Sequence, residues 1–225
     1  MTKKIKDQEE VVVAEAVSKT EKFFEAHGKK VIVALVALLI VFAGGYAYKY
    51  FVFDKNNAAA DELIIKAQER FGAEDADYEL ALNGDENGAG FLEIIEQYGS
   101  TEAGNLACHY AGICYLRLGK LEEAKAYLEK FSPVGSSHMG DIINAQNLGL
   151  QGDVAVELGN YEEAAKLFAK AVAESDNNYT APYYLYKQAL ALQAAGKAEE
   201  AKACCQTIVE KYPNSMEKSA AEKLF

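Results

Sequence analysis

The hydrophobic pattern divides the chain into three stretches with different periods. Residues 31–48 read "VIVALVALLIVFAGGYAY", eighteen positions without a charge, and after Lys49 the apolar character resumes through Phe53. Twenty-three residues at about 1.5 Å each reach roughly 34 Å, enough to cross a hydrocarbon core of about 30 Å. Before that run, Val13, Val17, Thr20 and Phe24 recur at helical spacing, opposite Glu15, Lys19, Glu21, Lys22 and Glu25. That pattern suits either a helix lying on a membrane surface or a solvated, partly helical tail. After residue 53 the period becomes helical throughout, and it repeats.

The repeat is visible in "LGKLEEAKAYLEKF" from Leu118, "LGNYEEAAKLFAKAV" from Leu158 and "AAGKAEEAKACCQTIV" from Ala194. Aligned on Gly119, Gly159 and Gly196, the periods are 40 and 37 residues. Five residues past each glycine stand Ala124, Ala164 and Ala201, and nine past it Leu128, Phe168 and Cys205. Seven residues before it stand Gly112, Gly152 and Ala189, followed three later by Tyr115, Ala155 and Leu192. Each period predicts a helical hairpin turning at the glycine, with small residues where helices approach and large ones filling the gap. The hairpins are expected over about 105–131, 141–174 and 181–212, with "SPVGSSHMG" at 132–140 as an insertion and "SMEKSAAEKLF" as a polar capping helix. Upstream, a helix over 57–71, an acidic, glycine-bearing loop over 72–90 and a helix in "FLEIIEQYGS" complete the map. The fold class is all-α, one N-terminal membrane-spanning helix followed by a solenoid of helical hairpins, and no strand is expected. Domain limits fall at 1–30 (arm), 31–53 (span), 54–90 (linking helix and loop) and 91–225 (repeats).

Charge bears on partners and on orientation. Residues 1–53 carry eight Lys against six acids, whereas the remainder carries fifteen basic residues against twenty-eight acids, a net −13. So acidic a body excludes nucleic acid as a partner. Lys19, Lys22, Lys29 and Lys30 precede the span and only Lys55 and Lys66 follow it closely, which predicts a cytoplasmic N-terminus and, in a bacterium, a periplasmic body. Tyr46, Tyr48, Tyr50, Phe51 and Phe53 would form an interfacial aromatic belt. A cleaved signal peptide competes, because Ala43-Gly44-Gly45 and Gly45-Tyr46-Ala47 are small enough for a peptidase. The thirty preceding residues are long and mixed in charge for that reading.

Candidate chemistry is sparse. Cys108, Cys114, Cys204 and Cys205 have no metal or disulfide spacing and read as packing residues. "NGDENG" at 83–88 resembles part of an EF-hand loop, but its first ligand is Asn83 and its twelfth position is Ile94. The histidines, His27, His109 and His138, lie far apart with no nucleophile beside them. No catalytic, cofactor or metal residue is expected, and the protein reads as a non-enzyme.

The small residue and the Ala of each unit, with the aromatic Tyr115 of the first and Phe168 of the second, resemble the tetratricopeptide repeat (TPR), a pattern of about 34 residues. Pro213 stands where that pattern closes, although no unit has its early Trp and the linkers run long. The resemblance implies groove-lining positions at the second, fifth, ninth and twelfth residues of each first helix: Leu106, His109, Ile113 and Leu116, then Gln146, Gly149, Asp153 and Val156, then Tyr183, Tyr186, Leu190 and Gln193. The site residues expected for partner contact are Leu106, His109, Leu116, Gln146, Asp153, Tyr183, Tyr186 and Gln193. The basic clamp of cytosolic TPR receptors for chaperone tails is absent from the matching fifth and ninth positions. With its span and linking helix, and with "FLEIIEQYGS" before "LACHYAGICYLRLGKLEEA", the chain resembles the YfgM-like proteins. That likeness implies an inner-membrane protein ancillary to the Sec translocon, joining it to periplasmic chaperones and newly exported chains. A cytosol-facing receptor for chaperones or import substrates, and a scaffold for envelope assembly or division, are the competing readings.

Overall fold

A computed structural model describes residues 2–135 and 138–224, with side-chain surroundings from Glu25 onward except at His138. The amphipathic faces expected around Val13, Val17, Thr20 and Phe24 lie outside the described side chains. The chain forms two units, Met1–Lys55 and Asn56–Phe225. In the first, helix α1 (Thr2–Tyr48) runs through residue 30 without a break. A π-helical turn, Lys49–Phe53, follows, in which the Asp54 N–H donates to the Lys49 carbonyl. Tyr46 stacks on Tyr50 at 6.4 Å between centroids. From Ile32 to Phe53 the large apolar side chains are exposed, Val41 by 73% and Tyr46 by 72%. Among the described residues this is the one helix long and apolar enough to cross a membrane.

Helix α2 (Asp54–Phe71) begins two residues before the second unit, which continues with α3 (Tyr78–Asn83), a hairpin of β1 (Gly84–Asp85) and β2 (Gly88–Ala89), and α4 (Phe91–Tyr98). The segment 72–90, expected to be a loop, is therefore partly folded, and the expectation of no strand is corrected by the antiparallel pairs Gly84↔Ala89 and Asp85↔Gly88. Its order comes from side chains that reach into it. Asp77 caps α3 by accepting from the Leu80 N–H at 2.9 Å. Arg70 donates to the Gly88 carbonyl at 3.0 Å and pairs with Asp85 at 2.5 Å. Asp85 also accepts from the Asn87 N–H, so its oxygens serve the turn, and Ile94 is fully buried. Phe71, Phe91 and Tyr110 gather over a core of Ala60, Ile64, Ala67, Ala107 and Ala111.

Three hairpins follow: α5 (Glu102–Arg117) with α6 (Leu121–Lys130), α7 (His138–Glu157) with α8 (Tyr161–Glu174), and α9 (Thr180–Ala194) with α10 (Ala198–Lys211). Gly119, Gly159 and Gly196 turn each hairpin with φ of 72°, 77° and 77°. Each closes the same pair of hydrogen bonds: Lys120, Asn160 and Lys197 donate to the carbonyls of Tyr115, Ala155 and Leu192, and the glycines to those of Leu116, Val156 and Gln193. That is a Schellman motif, whose left-handed residue favours glycine. Within each hairpin a small residue faces a larger one. A β-carbon on Gly112 would lie 2.5 Å from Leu128 Cγ, and one on Gly152 2.6 Å from Phe168 Cε1. In the third unit the pair becomes Ala189 and Cys205, both buried. The two sizes vary in opposite directions, as close packing at one helix separation demands.

The 132–140 insertion is pinned by two asparagines. Asn105 exchanges a reciprocal pair of hydrogen bonds with Ser132, at 2.8 and 2.7 Å, and Asn144 does the same with Val134, at 3.1 and 2.9 Å. Helix α7 starts at His138, a turn before the expected 141. The capping helix shrinks to α11 (Lys218–Ala221), which buries Ala221. Cys108, Cys114 and Cys205 are buried, and burial pushes the Cys114 thiol up to about 12.

Candidate partner-binding groove

The first helices of successive hairpins, α5, α7 and α9, abut one another. Side chains of these helices, with Leu121 of α6 and Tyr161 and Phe168 of α8, line two adjoining cavities. One, of about 570 Å³, is lined by Ile113, Leu116, Leu121, Leu150, Asp153 and Val156, with Arg117 and Glu157 at its rim. The other, about 220 Å³, is bounded by Asp153, Val156, Tyr161, Phe168, Lys187 and Leu190. Asp153 and Val156 belong to both, so the cavities adjoin at these two side chains of α7, and together they are the candidate groove.

The twelve expected positions divide accordingly. Ile113, Leu116, Asp153, Val156 and Leu190 come together in the groove. Tyr183 stands beside it, 43% exposed. Gln146 and Gln193 are exposed without lining either cavity. Leu106 and Tyr186 pack against the cores at the two ends of the repeat array. His109 is corrected outright: at 2% exposure it lies inside the fold. Asn147 of α7 meets its Nδ1 at 3.2 Å, and Gln151 donates to Asn147 Oδ1 at 2.7 Å. The ring lies against Phe131 and Tyr110. Burial pushes its pKa down to about 4, against the upward pull of a hydrogen bond to Gln146. Gly149 is also a packing position, because a β-carbon there would collide with the ring of Tyr184 from α9.

A residue outside the expected set, Lys187, joins α9 to α7. Its Nζ donates to both carboxylate oxygens of Asp153 at 2.7 Å. The ammonium also lies 4.8 Å from the Tyr183 ring centroid and 5.7 Å from that of Phe168. Burial works against the charge, but the hydrogen bonds to Asp153 and Tyr183 prevail and hold the lysine above its ordinary pKa. The sequence signal for this contact was an acid at the ninth position of one first helix and a base at the sixth of the next.

Comparison with known families agrees with this geometry. Residues 107–131 and residues 155–222 each match a tetratricopeptide repeat family. These segments cover most of the first hairpin and run from the end of α7 through α11. No curated protein matches the chain. The body is thus built from TPR-like helical repeats, the architecture of a protein-protein interaction module, and nothing in the groove marks it as catalytic.

Proposed function

We propose that the protein is a membrane-anchored TPR scaffold that holds a protein segment along the α5–α7–α9 groove. The observation that carries this reading is the groove itself: an open, mixed surface on which Leu116, Leu150, Val156 and Leu190 alternate with Arg117, Asp153 and Glu157, along the first helices of the repeats. Anchoring is supported by the exposed large apolar side chains of residues 32–53. The lysine excess before the span supports a cytoplasmic N-terminus and a periplasmic body. With the YfgM-like resemblance, the partners are Sec translocon subunits, periplasmic chaperones or exported chains. Crosslinking in native bacterial membranes, followed by identification of the adducts, tests this. Translocon subunits or periplasmic chaperones are the expected products. Adducts only with cytosolic chaperones, together with protection of the body from protease added to spheroplasts, would replace this reading with that of a cytosol-facing receptor.

A further inference from the structure

The groove contains a cation site already filled by the protein's own lysine. Three groups converge on the Lys187 ammonium: the Asp153 carboxylate at 2.7 Å and the rings of Tyr183 and Phe168. A carboxylate beside two aromatic faces within about 6 Å is an arrangement that attracts an ammonium or guanidinium group. The lysine side chain is 24% exposed and that of Asp153 31%. Asp153 borders both cavities, so a ligand that reaches from one to the other meets it. We propose that Asp153, Tyr183 and Phe168 form the specificity-determining position of the groove, that it takes a Lys or Arg from a basic, apolar peptide segment of the partner, and that Lys187 occupies it until that segment arrives.

This rests on the groove reading and adds the chemistry of its occupant. Charge complementarity selects the sign. The residues after the span carry a net −13, so a basic segment is steered toward the body and an acidic one is repelled. The other charges at the groove rim, Arg117 and Glu157, balance each other. Lys187 has the long, flexible stem and can swing out to solvent, whereas the short Asp153 side chain stays in place to receive the incoming cation. The apolar residues of the same segment then enter the cavities beside Leu116 and Leu190.

The test uses the full chain in phosphatidylcholine nanodiscs, with empty nanodiscs as the blank. Its probes are two fluorescent peptides, one of Leu, Ala and Lys and its counterpart with Glu at every Lys. By fluorescence anisotropy the Lys peptide should bind at least about fivefold more tightly than the Glu peptide, an advantage that shrinks as salt is added. Lys187→Met, and independently Lys187→Gln, should tighten the Lys peptide at least about fivefold by removing the internal competitor. Asp153→Asn should weaken it at least about tenfold and abolish the preference. Circular dichroism of each variant verifies the fold, and the wild-type preference is itself a readout that needs no variant. Equal or tighter binding of the Glu peptide, or no gain from either Lys187 variant, overturns the proposal. Leu190→Asp separates the two levels. If it releases both peptides while they bind equally, the groove stands and the cation site falls; if it releases neither, the groove reading falls as well.

Discussion

The packing logic of the repeats makes a quantitative prediction at Gly152 and Phe168. In Gly152→Ala the new methyl lies 2.6, 2.8 and 2.9 Å from Cε1, Cδ1 and Cζ of Phe168, inside ordinary carbon contact distance. The ring is 1% exposed and has nowhere to move. Overpacking of this kind costs about 1–3 kcal/mol, and the better helix propensity of alanine returns about 1 kcal/mol, leaving a net loss of up to about 2 kcal/mol. Phe168→Leu alone leaves a void and costs about 1–2 kcal/mol, below the about 3–5 kcal/mol of a truncation to alanine. In the double variant the methyl enters the space the ring has vacated, so the combined loss should fall short of the sum by at least about 1 kcal/mol. Urea unfolding of residues 56–225, followed by circular dichroism, supplies all four corners of the cycle. Strict additivity, or a Gly152→Ala variant stabilised by its full propensity gain, would refute the small-against-large account of the hairpins.

Two further outcomes follow from single sites. His109 has a folded pKa of about 4 against an ordinary 6.5, so between those values the unfolded chain binds the extra proton; its contribution is complete above pH 6.5 and shrinks by up to about 3 kcal/mol as the pH falls toward 4. The stability gap between wild type and His109→Gln should therefore narrow between pH 7 and pH 4.5 in urea titrations, and a constant gap would place the ring in solvent. Gly159 has φ of 77° and nothing within 4 Å of a built β-carbon, so Gly159→Ala should cost about 1–2 kcal/mol through backbone strain alone and Gly159→Asn less, measured as a shift in the unfolding midpoint.

The repeated hairpins were legible because their determinants are local and recur. Gly119, Gly159 and Gly196 announce their left-handed turns, and Ala124, Ala164 and Ala201 sit at a fixed offset from them in the core. The groove was legible only in part, since register assigns a helix position without saying what the neighbouring repeat brings to it. His109 and Leu116 carry equivalent labels, yet Asn147 gives the imidazole a buried partner inside the fold while Leu116 lines a cavity. Gly149 holds a groove position by register, but nothing in its own helix signals the Tyr184 ring that occupies its face. Lys187 has no signal in its own helix for the same reason, its role being defined by Asp153, 34 residues away. The segment 72–90 reads as a loop from its glycines and acids, and the Arg70 side chain that orders it belongs to another element.

The central claim, that a partner segment lies along the first helices of the repeats, is tested most directly by photocrosslinking from single positions of the full chain in its native membrane. A benzophenone side chain placed at Leu116 or Leu190, in the groove, is predicted to capture a partner protein. One placed at Lys166 or Lys202, exposed on the second helices α8 and α10, should leave it free. Equal capture from both pairs of positions, or capture only from Lys166 and Lys202, would contradict the account and move the interface to the second helices.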